Sequence, residues 1–197
     1  HFKNISTIAA PEGNRNAVGE QSLGMLLGLM NKLRQAHSSI ERGEWHREKY
    51  RGWELEGKTV GIIGYGNTGK SFAKKLQGFD VKVIFHDIKT HLGDENAQQV
   101  SLEELQNRAN ILSLHIPQSV ETNGMIDRKF IAQMKNPFWF LNTARGKAVV
   151  TSALVEGLVS GKILGAGLDV FEYESASFHS IFNDRNRPKS LDYLLNS

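Results

Sequence analysis

The chain has 197 residues, with 24 Lys and Arg against 21 Asp and Glu, and it contains no cysteine. A formal charge of +3 without a dense basic block argues against a nucleic-acid partner. The lack of cysteine excludes disulfides, thiolate metal sites and cysteine nucleophiles. The longest apolar stretch, residues 23–30, is too short to span a bilayer, so no membrane partner is expected. This composition predicts one ordinary domain in the cytoplasm, and the start at His1 indicates a fragment or a processed chain.

The first predicted element is a helix at residues 18–33 whose apolar side chains cover more than one face. Those side chains are Leu23, Met25, Leu26, Leu27, Leu29 and Met30. Gly24 and Gly28, one turn apart, permit another backbone to approach closely. The pattern fits either an internal helix wedged under a sheet or a subunit interface. We favour the interface, over residues 14–35, and therefore expect a homodimer, because a long exposed apolar face otherwise invites aggregation.

Residues 60–69 read Val-Gly-Ile-Ile-Gly-Tyr-Gly-Asn-Thr-Gly and lie between a predicted strand and a predicted helix. In this pattern Gly64 permits the tight strand-to-helix turn, Gly66 lets backbone amides approach a pyrophosphate, and Gly69 lets helix and strand pack closely. The start of the helix supplies unpaired amides and a partial positive charge for the phosphates. The motif favours a dinucleotide site over a purely structural glycine turn.

Asp87 directly follows a second apolar run, Val81–His86. A carboxylate at this position can accept hydrogen bonds from both ribose hydroxyls of a dinucleotide. It would also repel the 2′-phosphate of NADP, a penalty on the order of several kcal/mol in a partly dry site. We therefore predict NAD and not NADP as the cofactor, with Lys89 able to soften the discrimination.

Strands and helices alternate along the chain. Strands are predicted at Thr59–Ile63, Val81–His86, Ile111–Leu114, Phe138–Leu141 and Ile163–Leu168, and helices at residues 70–77, after the caps Ser101 and Asp127, and from Thr151 to a stop at Gly161. Strands separated by single helices imply right-handed crossovers, and so an α/β fold with a doubly wound parallel sheet, the Rossmann fold. Phe72 and Leu76 should face that sheet, while Lys70, Lys74 and Lys75 face water. The last 20 residues lose the periodicity and are expected to form irregular surface.

Five polar clusters directly follow predicted strands. They are Gly64–Thr68, Asp87, His115–Pro117, Asn142–Gly146 and Asp169–Glu174. In an open parallel sheet, ligands bind outside the carboxyl ends of the strands, so we expect these clusters to form one site. We interpret His86 and His115 as strand-end residues, because no acidic or histidine partner stands at metal-ligand spacing, and no metal site is predicted.

Arg145 and Glu174, in the last two clusters, carry the expected chemistry. A guanidinium offers a planar fork suited to a carboxylate and keeps its charge at working pH. Glu174 follows 29 residues later, past the next predicted strand. Beside a nicotinamide, these two side chains indicate redox chemistry on a small anionic acid. The alternative is an ordinary surface ion pair.

Several motifs resemble the NAD-dependent D-2-hydroxyacid dehydrogenases, and within that family most closely the D-3-phosphoglycerate dehydrogenases. They are the glycine motif, His115-Ile-Pro117, Asn142-Thr-Ala-Arg-Gly146 and Leu168-Asp-Val-Phe171. Residues 14–20 also resemble the family's helix that enters the nucleotide domain, and the resemblance covers about residues 3–175. It implies a nucleotide-binding domain inserted into a smaller substrate domain built from both chain ends. We therefore expect residues 1–197 to be the NAD-binding domain, with the substrate domain absent.

The resemblance implies a role for each matching residue. Arg145 would grip the substrate carboxylate and its keto or hydroxyl oxygen, Glu174 would pair with the catalytic histidine, and Asp169 would touch the nicotinamide carboxamide. Asn14 falls near the substrate. The implied cofactor contacts are Gly64, Gly66, Asn67, Thr68, Gly69, Asp87, His115, Ile116, Pro117, Thr143, Ala144, Arg145 and Asp169. The implied reaction moves a hydride between NAD and a small D-2-hydroxy acid or its 2-keto form. D-3-phosphoglycerate or a related acid is the expected substrate, which points to serine biosynthesis.

The chain also departs from the family pattern. The family's catalytic histidine lies in a Pro-His motif downstream of the glutamate, and no such motif occurs before Ser197, so we place that histidine beyond the end. His179 follows Glu174 by only five residues with no strand between them, and a surface-loop histidine is the better interpretation. Ser175 replaces the proline usual after the glutamate. We therefore expect the chain to bind NAD without turning over a hydroxy acid.

Two other functions share this architecture. One is an NAD-sensing binding module like the C-terminal-binding-protein corepressors. The other is an adenosylhomocysteine-hydrolase-like domain that uses bound NAD, against which the motifs of Arg145 and Glu174 argue. Sequence outside this chain would separate the first from a dehydrogenase, because a Pro-His motif and a basic substrate domain favour the enzyme.

Overall fold

A computed structural model describes residue 10, residues 12–173 and residues 188–196. The strands are β1 (Thr59–Ile63), β2 (Lys82–His86), β3 (Gln98–Gln99), β4 (Ile111–Leu114), β5 (Phe138–Asn142) and β6 (Ile163–Leu168). The helices are α1 (Arg15–Met30), α2 (Leu33–Glu41), α3 (Asn67–Lys75), α4 (Leu102–Arg108), α5 (Arg128–Gln133), α6 (Thr151–Val159) and α7 (Lys189–Asn196). Short 3₁₀ turns lie at Leu76–Gly78 and Gly146–Ala148. Within the described ranges no helix is long and apolar enough to cross a bilayer.

All six strands are parallel and form one sheet in the order β3-β2-β1-β4-β5-β6. The order reverses between β1 and β4, which is the point where doubly wound sheets bind ligands. Ile63 pairs with His86 and Leu114, and Asn142 pairs with Leu114 and Leu168, so these strands end at one level. The loops that follow them therefore share one side of the sheet, which we name the carboxyl edge. This topology confirms the predicted Rossmann fold.

The core consists of two apolar layers, one on each face of the sheet. Phe138 and Phe140 of β5 join the layer that also contains buried side chains of α5 and α6. Trp139 and Leu141 point to the opposite face and join the layer of α1 and α3. This alternation follows from the two-residue period of a strand, and it explains why β5 is apolar throughout.

Several sequence predictions are confirmed at the level of single bonds. The Oγ of Ser101 accepts a hydrogen bond from the backbone N–H of Glu104 (3.1 Å), and Oδ1 of Asp127 accepts one from Phe130 N–H (2.8 Å). Both are N-caps, of α4 and α5. Helix α3 begins at Asn67, three residues earlier than predicted, because the glycine-rich turn passes directly into the helix.

Helix α3 buries the predicted face and differs from the prediction at one lysine. Phe72 and Leu76 are fully buried in the layer beneath α1, as expected. Lys70 and Lys74 are exposed. Lys75 is partly buried instead, because its Nζ lies 3.0 Å from the Glu20 carboxylate of α1. The packing of α1 on α3, which the sequence pattern did not predict, covers this side chain.

The predicted helix at 18–33, and the segment 14–35 assigned to dimerisation, are divided in the structure. Helix α1 ends at Met30, Lys32 adopts a left-handed backbone with φ of 52°, and α2 starts at the next residue. The side-chain amide of Asn31 donates a hydrogen bond to Leu27 O (3.0 Å) and so caps the last turn of α1. The single-helix prediction was wrong because apolar periodicity continues across this local break.

Helix α1 lies on the sheet with one side buried and the other open. Leu26 and Met30 are fully buried. A Cβ added to Gly167 of β6 would contact Met25, which shows that α1 crosses this edge strand. A Cβ added to Gly24 or Gly28 would meet no atom of the described residues within 4 Å. Among the described residues, the sheet and α3 cover one side of α1, and the side that carries Gly24 and Gly28 borders open space.

The expectation of irregular surface over the last 20 residues is wrong for residues 189–196. Residues 189–196 form helix α7, which packs against α6 with Leu191 only 1% exposed. Leu191, Leu194 and Leu195 have the spacing of one helix face, a pattern too short to stand out in the sequence.

Candidate cofactor and substrate site

Two glycines of the motif stand where backbone meets backbone. Gly64 has φ of 91°, and a Cβ there would lie 2.5 Å from the backbone oxygen of His115. A Cβ on Gly69 would overlap the backbone oxygen of Gly64. Only glycine fits these positions, so the turn after β1 and the contact between α3 and β1 have the packing predicted from the motif.

Gly66, the second glycine of the motif, borders open space. A Cβ placed there would meet no atom of the described residues within 4 Å. As the N-cap of α3, Gly66 offers no side chain to the first-turn amides, in contrast to Ser101 at α4 and Asp127 at α5. Free amides beside open space at a helix start suit the oxygens of a pyrophosphate.

Asp87 is held rigidly at the end of β2, next to this turn. Its Oδ2 accepts a hydrogen bond from Tyr65 N–H (2.7 Å), and its Oδ1 accepts one from Lys89 N–H (2.9 Å). These bonds orient the carboxylate while its remaining lone pairs stay available to ribose hydroxyls.

The Tyr65 side chain also belongs to the site, although the motifs did not predict it. Its ring stacks on Phe85 with centroids 3.7 Å apart, and its hydroxyl donates a hydrogen bond to Oδ1 of Asp94 (2.7 Å). Burial and the neighbouring Asp94 carboxylate raise the pKa of Tyr65, so the phenol remains protonated as a donor. Tyr65 thereby ties the glycine turn to the loop after β2. A large aromatic residue between two glycines was the available signal.

His115 joins the end of β4 to the start of α3. Its Nε2 lies 2.9 Å from Ser113 Oγ, and its Nδ1 lies 3.3 Å from Thr68 Oγ1. Its ring stacks against Phe72 at 5.5 Å. Burial lowers the pKa of His115 to about 4, so the imidazole is neutral at physiological pH. The described residues hold no cluster of three or more metal-ligating side chains. His115 directly follows β4 and links two elements of the site.

The loop after β5, residues 142–146, is clamped by the side chain of Asn142. Its buried amide accepts a hydrogen bond from Ala144 N–H (3.1 Å) and donates one to Arg145 O (3.0 Å). Asn142 O accepts a bond from Asp169 N–H (3.0 Å), which joins this loop to the end of β6. A Cβ on Gly146 would overlap backbone atoms of Phe171. The two loops that carry the predicted substrate chemistry are therefore packed directly against each other.

Arg145 projects from this clamped loop and is exposed. Its Nη1 donates a hydrogen bond to Ala144 O (2.7 Å), which uses one of the five guanidinium N–H groups. The other N–H groups belong to an exposed side chain, and the Asn142 side chain holds the backbone of that residue in place. This arrangement suits capture of a small carboxylate.

Among the remaining predicted residues, Asn67 is exposed at the start of α3, and Ile116 packs on the core. Pro117 O accepts a hydrogen bond from the Thr122 hydroxyl (2.8 Å). Asn14 is exposed and accepts the first backbone bond of α1, from Val18 N–H (3.0 Å). The structure brings the other described members of the predicted set together at the carboxyl edge. It shows no contact between Asn14 and that group.

Glu172 has a role that its sequence position did not predict. Its Oε2 accepts a hydrogen bond from Thr151 N–H (2.7 Å), so it satisfies the start of α6 in place of a local cap. Glu174, two residues later, lies outside the described residues, as do Ser175 and His179.

The chain is similar in sequence to known proteins of one family. The family described as D-isomer specific 2-hydroxyacid dehydrogenase, NAD binding domain, matches residues 23–189. The chain belongs to this family. A hydroxypyruvate reductase of Thermotoga maritima is 37% identical over 172 residues, which cover 87% of this chain and 56% of the relative. A D-3-phosphoglycerate dehydrogenase of Haemophilus influenzae is 38% identical over 181 residues, which cover 91% of this chain and 44% of the relative. The chain spans about half the length of these relatives.

A solved structure of a family member agrees with the fold. The D-lactate dehydrogenase of Aquifex aeolicus, complexed with NAD and lactic acid, aligns with a TM-score of 0.83 at 30% identity, covering 92% of this chain and 56% of that one. The resemblance inferred from the motifs is thus confirmed, and NAD is the cofactor of this domain. The open space at Gly66 and the fixed carboxylate of Asp87 fit the pyrophosphate and the adjacent ribose of that cofactor.

Proposed function

We propose that the protein is an NAD-dependent dehydrogenase of small D-2-hydroxy acids. The supporting observation is the clamped loop 142–146, which holds an exposed Arg145 at the same edge of the sheet as the open cradle at Gly66. A carboxylate-binding fork next to a dinucleotide site is the arrangement that oxidation of a hydroxy acid needs. Because the chain spans about half the length of its relatives, the proposed activity belongs to the whole protein.

In this proposal the described residues bind and orient the reactants. NAD, when bound, takes up or supplies the hydride. Arg145 binds the substrate carboxylate and polarises the oxygen on the adjacent carbon. Asp169, fixed through its N–H to Asn142 O, meets the nicotinamide carboxamide, and Asn14 lies near the substrate. The remaining residues predicted from the motifs make further contacts with the cofactor.

Proton transfer is assigned to Glu174 and a histidine beyond Ser197. A carboxylate that is hydrogen-bonded to an imidazole raises the pKa of that imidazole. The pair can therefore give a proton to a carbonyl oxygen and remove a proton from the hydroxyl in the reverse reaction. His115 is a poor donor for this step, because burial lowers its pKa to about 4. We therefore expect this chain to bind NAD in calorimetry yet to produce no NADH from D-3-phosphoglycerate or D-lactate. Production above background would show that His179 or another residue here completes the site.

D-3-phosphoglycerate or a related acid is the proposed substrate. The residues and spacing of the motifs support it, as do relatives named D-3-phosphoglycerate dehydrogenase. Other relatives are named hydroxypyruvate reductase and glyoxylate reductase. Comparison of kcat/KM for D-3-phosphoglycerate, D-glycerate, glycolate and D-lactate in the full-length protein decides among them. A preference for phosphoglycerate would support the role in serine biosynthesis. NAD binding without turnover of any of these acids would favour the NAD-sensing module instead.

The role of Arg145 is tested by comparison with Lys147. Both side chains are cationic and exposed, and they lie two residues apart. In the full-length enzyme we expect Arg145→Ala to lower kcat/KM by at least about 100-fold, since a charge-assisted bidentate contact is lost. NAD affinity should change less than about twofold. Lys147→Ala should leave both values near those of the wild type. Equal losses in the two variants would show that overall positive charge, and not a specific fork, supports activity.

We also propose a homodimer formed through the open side of α1, in the cytoplasm. Gly24 and Gly28 border open space, and exposed apolar side chains follow in α2 and in the loop after it. Leu33 is 60% exposed and Trp45 is 78% exposed. A second copy of the chain would cover this surface.

A further inference from the structure

One fully buried hydroxyl of α1 reaches the carboxyl edge. Ser22 is 0% exposed, and its Oγ lies 2.8 Å from Val18 O and 3.1 Å from Oγ1 of Thr143. Thr143 directly follows β5 in the clamped loop and is only partly buried. The Ser22–Thr143 bond is therefore a direct link between helix α1 and the predicted cofactor contacts.

The proton positions in this link follow from the chemistry of its three oxygens. A carbonyl oxygen can only accept, so the 2.8 Å contact with Val18 O requires the Ser22 proton. Ser22 has one proton, and its Oγ must therefore accept from Thr143. The Thr143 proton is directed into the protein, and only lone pairs remain on Oγ1. Toward a ligand, this hydroxyl can accept a hydrogen bond but cannot donate one.

We propose that Ser22 is a positioning residue that fixes the Thr143 hydroxyl as an acceptor for the carboxamide N–H of NAD. The loop that carries Thr143 is joined to Asp169 through Asn142 O, and Asp169 is the residue proposed above to meet the carboxamide. The carboxamide NH₂ carries two protons, so one can meet the Asp169 carboxylate and the other Thr143. This inference rests on the proposed placement of both residues at the nicotinamide.

Three ligands separate this role from a general effect on the fold. They are NAD, its 3-acetylpyridine analogue, in which a methyl ketone replaces the carboxamide and removes the N–H, and ADP-ribose, which lacks the nicotinamide. Calorimetry on this chain should show that Ser22→Ala weakens NAD binding about 3- to 10-fold, the range of one neutral hydrogen bond. The analogue and ADP-ribose should change less than about twofold. Thr143→Val should behave like Ser22→Ala, and the double variant should bind NAD no worse than Thr143→Val alone.

The matched control is Ser39, another buried serine whose hydroxyl donates to a backbone carbonyl, that of Glu44 (3.1 Å), away from the carboxyl edge. Ser39→Ala should leave all three affinities unchanged, and Thr143→Ser, which keeps the hydroxyl, should retain the preference for NAD. Equal weakening of the three ligands by Ser22→Ala would overturn the proposal, because a structural defect acts on every ligand. No weakening of any ligand would also overturn it. These affinities belong to this chain, so they are independent of whether the full-length protein oxidises a hydroxy acid.

Discussion

At the carboxyl edge, three glycines stand where another stretch of backbone already occupies the space that a side chain would need. A Cβ on Gly64 would meet the backbone of His115, and a Cβ on Gly69 would meet the backbone of Gly64. A Cβ on Gly146 would overlap the backbone of Phe171. These positions bring separate segments within backbone contact. They fix the relative positions of the loops that hold cofactor and substrate.

On the open side of α1 the same residue type has the opposite surroundings. A Cβ added to Gly24 or Gly28 would meet no described atom of another segment within 4 Å. The same is true of Gly66 in the glycine motif. Glycine in the middle of a helix costs roughly 0.5–1 kcal/mol relative to alanine, so an open glycine needs another explanation. In this protein a closed glycine marks a contact within the chain, and we propose that the open sides of Gly24, Gly28 and Gly66, none of which has a positive φ, face a second molecule. Substitution should separate the two kinds.

The largest effect on stability is expected at Gly146, a closed glycine. Gly146→Ala places a methyl group on the backbone of Phe171, and neither backbone can move without displacing the clamped loop. We expect a loss of about 3 kcal/mol or more in the free energy of unfolding, at the upper end of overpacking effects. Urea titration measures it, and Gly24→Ala is the control. That control should leave stability unchanged or raise it by up to about 1 kcal/mol, because alanine favours the helix. Equal stability of the two variants would contradict the close packing at the carboxyl edge.

Most of the carboxyl edge could be predicted from the sequence. The strand ends are marked by short apolar runs followed by polar residues, and parallel strands bring those ends together. The packing of Gly64 and Gly69 followed from the motif, and the caps Ser101 and Asp127 from local chemistry. Each of these features depends on a few neighbouring residues or on the sheet topology. A sequence contains that information directly.

The remaining features depend on which segments meet in space. Glu172 and Glu174 are chemically identical and two residues apart, and the path of the chain after β6 decides that Glu172 reaches Thr151 N–H. The break between α1 and α2 depends on the Asn31 side chain turning back to Leu27 O. Neither choice changes the apolar pattern from which elements are predicted.

The second largest effect concerns the open side of α1. If a second copy of the chain packs there, Gly28→Leu should weaken dimerisation about 10- to 100-fold, because the new side chain occupies space needed by the partner. Sedimentation at micromolar concentration measures the dissociation constant. Ser152→Leu, which adds the same side chain at an exposed position of α6, should leave it unchanged. A wild-type chain that sediments as a monomer would rule out the proposed dimer for this chain.

Acid should lower the free energy of unfolding through His115, which lies at the carboxyl edge. Burial lowers the pKa of His115 from 6.5 to about 4 in the folded chain, so the unfolded chain takes up the proton first. The stabilising contribution is complete above pH 6.5 and is lost as the pH falls toward 4. Between pH 7 and pH 5 this side chain should account for about 2 kcal/mol of lost stability. His115→Gln should reduce the pH dependence of unfolding by that amount. An unchanged pH dependence in His115→Gln would show that the folded imidazole takes up its proton near pH 6.5.

The smallest expected effect separates an open glycine from the closed ones within a single motif. Gly66→Ala adds a methyl group that contacts no described atom, and the backbone of Gly66, with φ of −82°, is accessible to alanine. The free energy of unfolding should therefore stay within about 0.5 kcal/mol of the wild type. The methyl group would instead occupy space where a pyrophosphate approaches the amides of α3, and NAD affinity should fall about tenfold. Parallel measurement of unfolding and of NAD binding checks both parts, with Gly24→Ala as the variant expected to change neither by much. Loss of stability without loss of NAD affinity would reverse the assignment and place Gly66 among the closed glycines.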